Sequence, residues 1–218
     1  MKLLLEWQYR AKNGATTTFH SEQLTAAEAL MLAEDIENTG RVKQLIMTDE
    51  HDSTWMMKEL RKYLKELETE PHDITVYFDG GYHHDDYTAG LGIVIYYKQN
   101  NKRYRYRKNL LLEQIDSNNE AEYAALHLAI AELELLQAHH QTISIKGDSQ
   151  VVINQLNGEW PAYEEKLASW ATKIEKRLQH LGFIPEYKLL SRNDNKEADR
   201  LATQALEGTS IEATIVIN

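Results

Sequence analysis

Hydrophobic and polar residues follow strand or helix periods in two regions of the chain, and a polar stretch near residues 68–73 separates these regions. The stretch contains Pro71, which lacks a backbone N–H and disfavours regular structure, so we expect a domain boundary there. The chain is therefore predicted to have four parts: a small domain over residues 1–70, a linker over 71–73, a large domain over 74–206 and a tail over 207–218.

The small domain begins with a strand pattern over residues 3–9, followed by an Asn-Gly turn and a second strand pattern over 16–20, which together indicate a β-hairpin. Thr25 and Glu28 form a capping-box pattern ahead of apolar residues at helical spacing, so a helix is expected next. A strand over 42–48 and a second amphipathic helix complete the pattern. The prediction is a small α+β domain of order ββαβα.

In the large domain, apolar runs typical of strands are mixed with helical patterns, which predicts the α/β class with a mixed sheet. Three strands follow one another directly, and helices separate the later ones. Expected strands lie at residues 74–78, 91–98, 103–110, 143–148 and 184–190, and expected helices at 118–137, 150–156, 163–181 and 196–206. Alternating apolar residues from Ile211 to Ile217 indicate a possible extra strand in the tail.

Composition and charge narrow the function classes. The 218 residues include no cysteine, which excludes disulfides and thiolate metal sites and favours a reducing compartment, so a cytoplasmic location is expected. No apolar run is long enough for a signal peptide or a membrane span, and no membrane partner is expected. With 24 Lys and Arg against 34 Asp and Glu, the net charge is −10, so binding of nucleic acid would require a local basic patch or bound cations.

One candidate patch lies on the second and third strands of the large domain, where six Lys and Arg residues fall between positions 98 and 108. Arg103, Arg105 and Arg107 share one face of a strand. The pattern fits a nucleic-acid contact, in which case charge reversal of these arginines should weaken binding and its salt dependence. It fits equally well a solvated edge strand that is protected against aggregation.

Carboxylates at the ends of strands supply the main candidate chemistry. Asp79 and Asp148 each end a predicted strand, where the rigid backbone fixes a carboxylate that suits hard cations preferring oxygen ligands. Asp194 and Asp199 lie around the start of the last predicted helix. Either of these two is a candidate for a further ligand.

The helix over residues 118–137 offers two more acidic side chains, Glu120 and Glu122. The 100° step per residue places Glu122 on the stripe with apolar side chains, whereas Glu120 is expected to face water. A carboxylate on a buried face is costly unless it is paired or bound to a metal. Glu122 is therefore the expected third ligand.

Over residues 74–206 the sequence resembles the type 1 ribonucleases H, whose ribonuclease H-like fold has a mixed five-stranded sheet flanked by helices. The resemblance rests on four motifs that occur in the family's order. They are Phe78-Asp79-Gly80-Gly81, Asn118-Asn119-Glu120-Ala121-Glu122-Tyr123, Gly147-Asp148-Ser149-Gln150 and Asn195-Lys196-Glu197-Ala198-Asp199-Arg200-Leu201-Ala202. Four motifs in order are specific, whereas any one alone would be weak.

The resemblance implies an Mg²⁺-dependent endoribonuclease that cuts the RNA strand of RNA/DNA hybrids by a two-metal mechanism and leaves 5′-phosphate ends. Two Mg²⁺ ions, with Mn²⁺ as a possible substitute, would be held at the family's catalytic positions, which fall on Asp79, Glu122, Asp148 and Asp199. Substrate contacts are expected from Gly80, Gly81, Asn118, Asn119, Gln150, Arg192 and Asn195.

Three departures from the family pattern leave other functions open. The loop Tyr82 to Tyr87 replaces a small glycine-rich loop, the basic protrusion of many bacterial members has no counterpart, and Arg192 stands near the place of a histidine that assists product release. The alternative hypothesis is a weakly active or inactive module that binds nucleic acid or protein. A 3′ to 5′ exonuclease on the same fold is disfavoured, because Gly81 stands where such enzymes carry a second carboxylate.

The small domain carries no catalytic pattern. Over residues 1–72 it has 9 basic and 13 acidic residues, and hence a charge of −4. We expect it to serve dimerisation or docking of a partner protein.

Overall fold

A computed structural model describes residues 1–217, which divide into two compact units at the bond between Thr69 and Glu70. Each unit has its own cluster of buried apolar side chains. None of the helices within residues 1–217 is both long enough and apolar enough to cross a bilayer. His72 and Asp73, which were expected in the linker, already belong to a strand, where the Asp73 carboxylate pairs with Lys98 Nζ at 2.6 Å.

The first unit is an antiparallel sheet with two helices. Its elements are β1 (Lys2–Arg10), β2 (Thr16–His20), β3 (Leu24–Thr25), α1 (Ala26–Asn38), β4 (Val42–Asp49), β5 (Thr54–Trp55) and α2 (Met57–Thr69). The strand order is β2-β1-β4-β5, and β3 pairs with β1. The expected ββαβα order is confirmed with two short strands added, and Thr25 and Glu28 form the capping box of α1. The core packs Leu3 and Leu5 of β1 against the helices.

The second unit is a mixed sheet flanked by helices. Its elements are β6 (His72–His83), β7 (Thr88–Gln99), β8 (Lys102–Glu113), α3 (Asn118–Leu135), β9 (Thr142–Gly147), α4 (Gln150–Leu156), α5 (Glu165–His180), β10 (Ile184–Leu189), a 3₁₀ turn (Arg192–Asp194), α6 (Lys196–Leu206) and β11 (Glu212–Ile217). The strand order is β10-β9-β6-β7-β8-β11, in which β9 pairs in parallel with both β10 and β6. The predicted class is confirmed.

The sheet has six strands rather than the five expected, because the tail adds one. Residues Glu212–Ile217 form β11, which pairs antiparallel with β8. The buried amide of Asn109 in β8 fixes the segment before β11: it donates to the carbonyls of Leu201 and Thr209 and accepts from the backbone N–H of Ile211, at 2.7 to 3.0 Å. Strand β8 is therefore an inner strand, and the hypothesis of a solvated edge strand there is wrong.

Candidate active site

Three carboxylates meet beside the start of helix α3, where the parallel strands β6 and β9 stop pairing. Asp79 lies in β6, Asp148 directly follows β9, and Glu122 lies near the start of α3. One carboxylate oxygen from each lies within 4.8 Å of those from the other two, and Asp79 and Glu122 are only 8% and 6% exposed. The fold thus gathers three of the four acidic residues expected to bind metal.

Gly80 lets α3 come close enough to β6 for this cluster to form. A Cβ atom on Gly80 would lie 2.3 Å from the backbone carbonyl carbon of Ala121 and 2.4 Å from the backbone nitrogen of Glu122. Only glycine fits at such a distance. The Gly80 N–H donates a hydrogen bond to the Glu122 carboxylate, so the close approach also orients this side chain.

The three carboxylates repel one another in a poorly solvated space. Burial, and then the charges of Asp148 and Asp199, raise the pKa of Asp79 to about 7. Burial, and then the charges of Asp79 and Asp148, raise the pKa of Glu122 well above its usual range. Such an arrangement favours either protons or cations among the carboxylates.

The donor set fits a hard divalent cation. All three groups offer carboxylate oxygens, which are the ligands that Mg²⁺ and Mn²⁺ prefer. Within residues 1–217, the buried Oε2 atom of Glu122 accepts no hydrogen bond, although a buried carboxylate oxygen normally has a partner. A metal ion bound between Glu122, Asp79 and Asp148 would supply that partner.

The fourth predicted ligand, Asp199, lies on the first turn of α6 and is exposed. It stands outside the group of three, but its charge contributes to the raised pKa of Asp79. The alternative, Asp194, accepts a hydrogen bond from the Ser191 hydroxyl at 2.7 Å. Of the two, Asp199 is therefore the residue whose charge acts on the cluster.

Asn195, which was expected to contact substrate, is 2% exposed and hydrogen-bonds to the carboxylate cluster from inside the protein. Its Nδ2 donates to Asp148 Oδ1 at 2.7 Å and to the backbone oxygen of Phe78 at 2.9 Å. A single amide thus ties the segment before α6 to the Asp148 side chain and to the residue preceding Asp79. Its arrangement is suited to positioning these two acids.

A groove of about 430 Å³ opens in front of the cluster. It brings together most of the residues that sequence reasoning assigned to substrate, although they come from three separate segments. Its lining comprises Asn118, Asn119, Glu122, Asp148, Ser149, Gln150, Val151, Leu190 and Arg192. Arg192 stands at its exposed rim, with Nε 3.9 Å from Asp148 Oδ2. Gly81 instead faces α6, where a Cβ atom would lie 3.2 Å from the Leu206 side chain.

The expectation that Glu120 faces water is wrong, because helix α5 covers that side of α3. Glu120 is 5% exposed and accepts hydrogen bonds from the Trp170 indole N–H at 3.1 Å and the Asp116 backbone N–H at 2.9 Å. Lys166 Nζ lies 3.4 Å from its carboxylate. Trp170 and Lys166 both belong to α5, whose position above α3 no local pattern reveals.

Two arginines of β8 share one acidic partner within the second unit. Arg105 and Arg107 are each less than one third exposed, and both face Glu197 of α6, at 3.1 and 3.8 Å. The Tyr96 hydroxyl donates to the same glutamate at 3.0 Å. Lys108 pairs with Glu132 and Glu212 at 3.0 and 3.1 Å. Four of the six cations of the patch seen in the sequence, Lys98, Arg105, Arg107 and Lys108, thus form ion pairs within the second unit.

The loop after Asp79-Gly80-Gly81 is stabilised by its own aromatic rings. The His84 ring lies 6.2 Å from that of Tyr82 and 6.1 Å from that of Tyr87, and Tyr87 is 55% exposed. His83 Nδ1 lies 3.1 Å from the Asp86 carboxylate. The side chains of residues 83–87 are nevertheless exposed, so the bulk and charge expected from the sequence remain at the tip of the β6–β7 hairpin.

The sequence is similar to a known protein family and to a protein from another organism. Residues 77–205 match the family described as reverse transcriptase-like. The chain is 44% identical over 214 residues to the uncharacterized protein YpeP of Bacillus subtilis, and the match covers 98% of this chain and 94% of that protein.

Several solved structures share the fold of the second unit. RNase H1 from Halobacterium salinarum is 25% identical with a TM-score of 0.53, over 62% of this chain and 98% of that one. The N-terminal RNase H domain of rv2228c from Mycobacterium tuberculosis is 23% identical with a TM-score of 0.54, over 62% and 94%. LC11-RNase H1, isolated from compost and solved in complex with an RNA/DNA hybrid, is 22% identical with a TM-score of 0.53, over 62% and 98%.

Proposed function

This chain belongs to the reverse transcriptase-like family, and its second unit has the fold of the type 1 ribonucleases H. We propose that it is an Mg²⁺-dependent endoribonuclease that acts on the RNA strand of RNA/DNA hybrids. The convergence of Asp79, Glu122 and Asp148 at one end of an open groove supports this proposal above all. LC11-RNase H1, a similar fold, was solved with an RNA/DNA hybrid bound, which agrees with it.

Asp79, Glu122 and Asp148 would hold the metal, with Asp199 as an outer ligand. Bound Mg²⁺ ions would activate a water molecule and stabilise the leaving 3′ oxygen, which yields 5′-phosphate ends, and Mn²⁺ has the ligand preference to replace them. The protein's own part is to keep the carboxylates together at a spacing they would otherwise resist. Gly80 does so through the close helix contact, and Asn195 does so through its bond to Asp148.

The lining of the groove suits a hybrid duplex. Asn118, Asn119 and Gln150 present amides, which donate to and accept from the 2′-hydroxyls that distinguish RNA from DNA in the wide minor groove. Arg192, at the rim beside Asp148, would neutralise a phosphate next to the cleaved bond. These residues act by placing the RNA strand over the carboxylates.

Cleavage of a labelled RNA/DNA hybrid, with Mg²⁺ or with EDTA, tests the proposal. We expect cutting of the RNA strand only with the metal ion, and at least a hundredfold loss in Asp79→Asn with an unchanged circular dichroism spectrum. Asp35→Asn, at an exposed aspartate of α1, is the matched control and should cut like the wild type. Between the two candidates for the outer ligand, Asp199→Asn should be impaired and Asp194→Asn should not.

The same experiment distinguishes the alternative hypothesis. Tight binding of the hybrid without metal-dependent cutting would mean that the groove serves a binding module. Equal cutting by the wild type and Asp79→Asn would contradict the assignment of the carboxylates.

A further inference from the structure

The hairpin formed by β1 and β2 ends in a cluster of aromatic rings. Trp7 and Phe19 are paired across the two strands and stack at 5.6 Å with an interplanar angle of 25°. Tyr9 meets Phe19 edge to face at 6.2 Å. Trp7 packs on the core of the first unit, whereas Phe19 is 45% exposed and lies outside that core. The cluster therefore presents an aromatic surface to solvent on a rigid base.

Positive charges lie near this end of the hairpin. Lys12 lies in its turn, and Arg41 and Lys43 lie at the start of the neighbouring strand β4. Arg10 is the last residue of β1, and its N–H donates to the Arg41 carbonyl at 2.8 Å, but strand alternation places its side chain on the sheet face opposite Tyr9. Residues 7–19 and 39–47 contain no Asp or Glu. Within residues 1–217, none of these four cations forms a salt bridge.

The local charge is opposite to that of the rest of the unit. Residues 1–69 contain 9 Lys and Arg and 12 Asp and Glu, so the remainder carries 5 positive and 12 negative charges once the four cations are set apart. A cluster of unpaired cations in an acidic unit is not explained by solubility alone. It marks a surface that attracts anions.

Arg41 connects the charges to the rings. One of its terminal nitrogens donates to the Tyr9 hydroxyl at 2.6 Å, and its guanidinium carbon lies 5.9 Å from the centre of the Tyr9 ring. The bond fixes the Tyr9 ring in place. Since a guanidinium has five N–H donors, others remain for a phosphate.

We propose that this hairpin surface, formed by Tyr9, Phe19, Lys12 and Arg41, binds single-stranded nucleic acid. An exposed ring offers a stacking partner to a base, and only a base that is not already stacked within a duplex is free to use it. The flanking cations would contact the phosphates on either side of that base. The site is independent of the groove in the second unit and of the function proposed for it.

Fluorescence anisotropy with labelled dT₂₀ and rU₂₀, in EDTA to prevent cleavage, tests this site on the full-length protein. We expect Phe19→Ala to weaken binding of both strands at least about fivefold, because one stacked base is lost. Lys12→Gln lies in an exposed turn and should spare the fold. It should lower the slope of log affinity against log salt by about 0.7.

Matched controls lie on the helices of the same unit. Met31→Ala removes another exposed apolar side chain, and Lys58→Gln with Lys65→Gln removes two exposed cations, so neither should change binding. The proposal is overturned if the hairpin variants bind dT₂₀ and rU₂₀ as the wild type does, or if the wild type binds neither. An equal loss of binding to duplex DNA would also overturn it, since stacking on Phe19 should not occur there.

Discussion

The Asp79 carboxyl links the stability of the metal-free protein to pH. Its folded pKa of about 7 lies above its ordinary value of 3.8, so between these two pH values the folded state keeps a proton that the unfolded state has lost. The stability of the folded state therefore falls as pH rises from about 4 to 7. Asp79→Asn removes this dependence because its amide carries no charge at any pH.

We expect Asp79→Asn to be more stable than the wild type by about 3 kcal/mol at pH 8 in EDTA, and by far less at pH 4.5. Urea unfolding at both pH values measures the difference. Addition of Mg²⁺ at pH 8 should stabilise the wild type and leave the variant nearly unchanged. An advantage of the variant that is equal at both pH values would show that Asp79 titrates normally.

Asn195 gives a second prediction for a single residue. Asn195→Ala breaks the bonds to Asp148 and Phe78 in a buried site, so we expect a loss of about 2 kcal/mol in the free energy of unfolding. Because Asp148 is then less well oriented, the Mg²⁺ affinity measured by calorimetry should also fall. The exposed neighbour Asn193→Ala is the control for both measurements. Lost stability with unchanged Mg²⁺ affinity would assign Asn195 a purely structural role.

The sequence predicted the burial of one glutamate of the site correctly and that of its neighbour wrongly. Helical spacing correctly placed Glu122 on a buried stripe, because the sheet beneath α3 is lined by apolar residues in a regular pattern. The same reasoning failed for Glu120, which a second layer, α5, covers through Trp170 and Lys166. The spacing of apolar residues along a helix predicts the face that packs on the sheet. It does not predict whether another helix covers the opposite face.

Contacts between strands and helices depend on glycines in β6 and β7. A Cβ atom on Gly92 of β7 would lie 2.1 Å from the Ala198 carbonyl oxygen and 2.6 Å from the Ala202 nitrogen, both in the backbone of α6. A Cβ atom on Gly81 would come closest to the flexible end of Leu206, at 3.2 Å, and its other neighbours lie at ordinary contact distances of 3.9 and 4.0 Å. We expect Gly92→Ala to cost about 3 kcal/mol or more, because α6 must move, and Gly81→Ala to cost less than about 1 kcal/mol.

Thermal or urea unfolding of the two glycine variants checks this contrast. Since α6 carries Asp199, displacement of the helix in Gly92→Ala should also reduce hybrid cleavage. Equal stability of the two variants would mean that α6 adjusts to the added methyl group at little cost.

The strands themselves were largely predictable, whereas the partners of their charged residues were not. Alternation identified β8, and the tail was seen as a possible extra strand. Yet Arg105 and Arg107 looked like a nucleic-acid patch, because Glu197, the acidic partner that they share, lies about ninety residues later in the chain. Reversal of these charges is now expected to destabilise the contact of β8 with α6. The expected weakening of nucleic-acid binding no longer follows from their location.

The whole chain is acidic, so its two candidate nucleic-acid sites must overcome a repulsive field in different ways. In the second unit, metal ions between the carboxylates would change the local sign of the charge. In the first unit, the cations of the hairpin surface have no acidic partner to neutralise them. Composition alone showed that an acidic chain should repel a nucleic acid. Within each unit, local positive charge, from metal ions or from basic side chains, would offset that repulsion.

The two units are expected to be separable in function. The three clustered carboxylates and the groove lie after Glu70, together with the six-stranded sheet of residues 72–217 and its own core. We predict that residues 70–218 alone fold and cleave an RNA/DNA hybrid within about threefold of the full-length rate at saturating substrate, since the reacting groups are unchanged. The fragment should lose the part of dT₂₀ binding that Phe19→Ala removes. Sedimentation of the full chain and of the fragment tests whether the first unit mediates dimerisation. That hypothesis requires the full chain to be a dimer and the fragment to be a monomer. A fragment that folds but cannot cut would show that the first unit contributes to the active site.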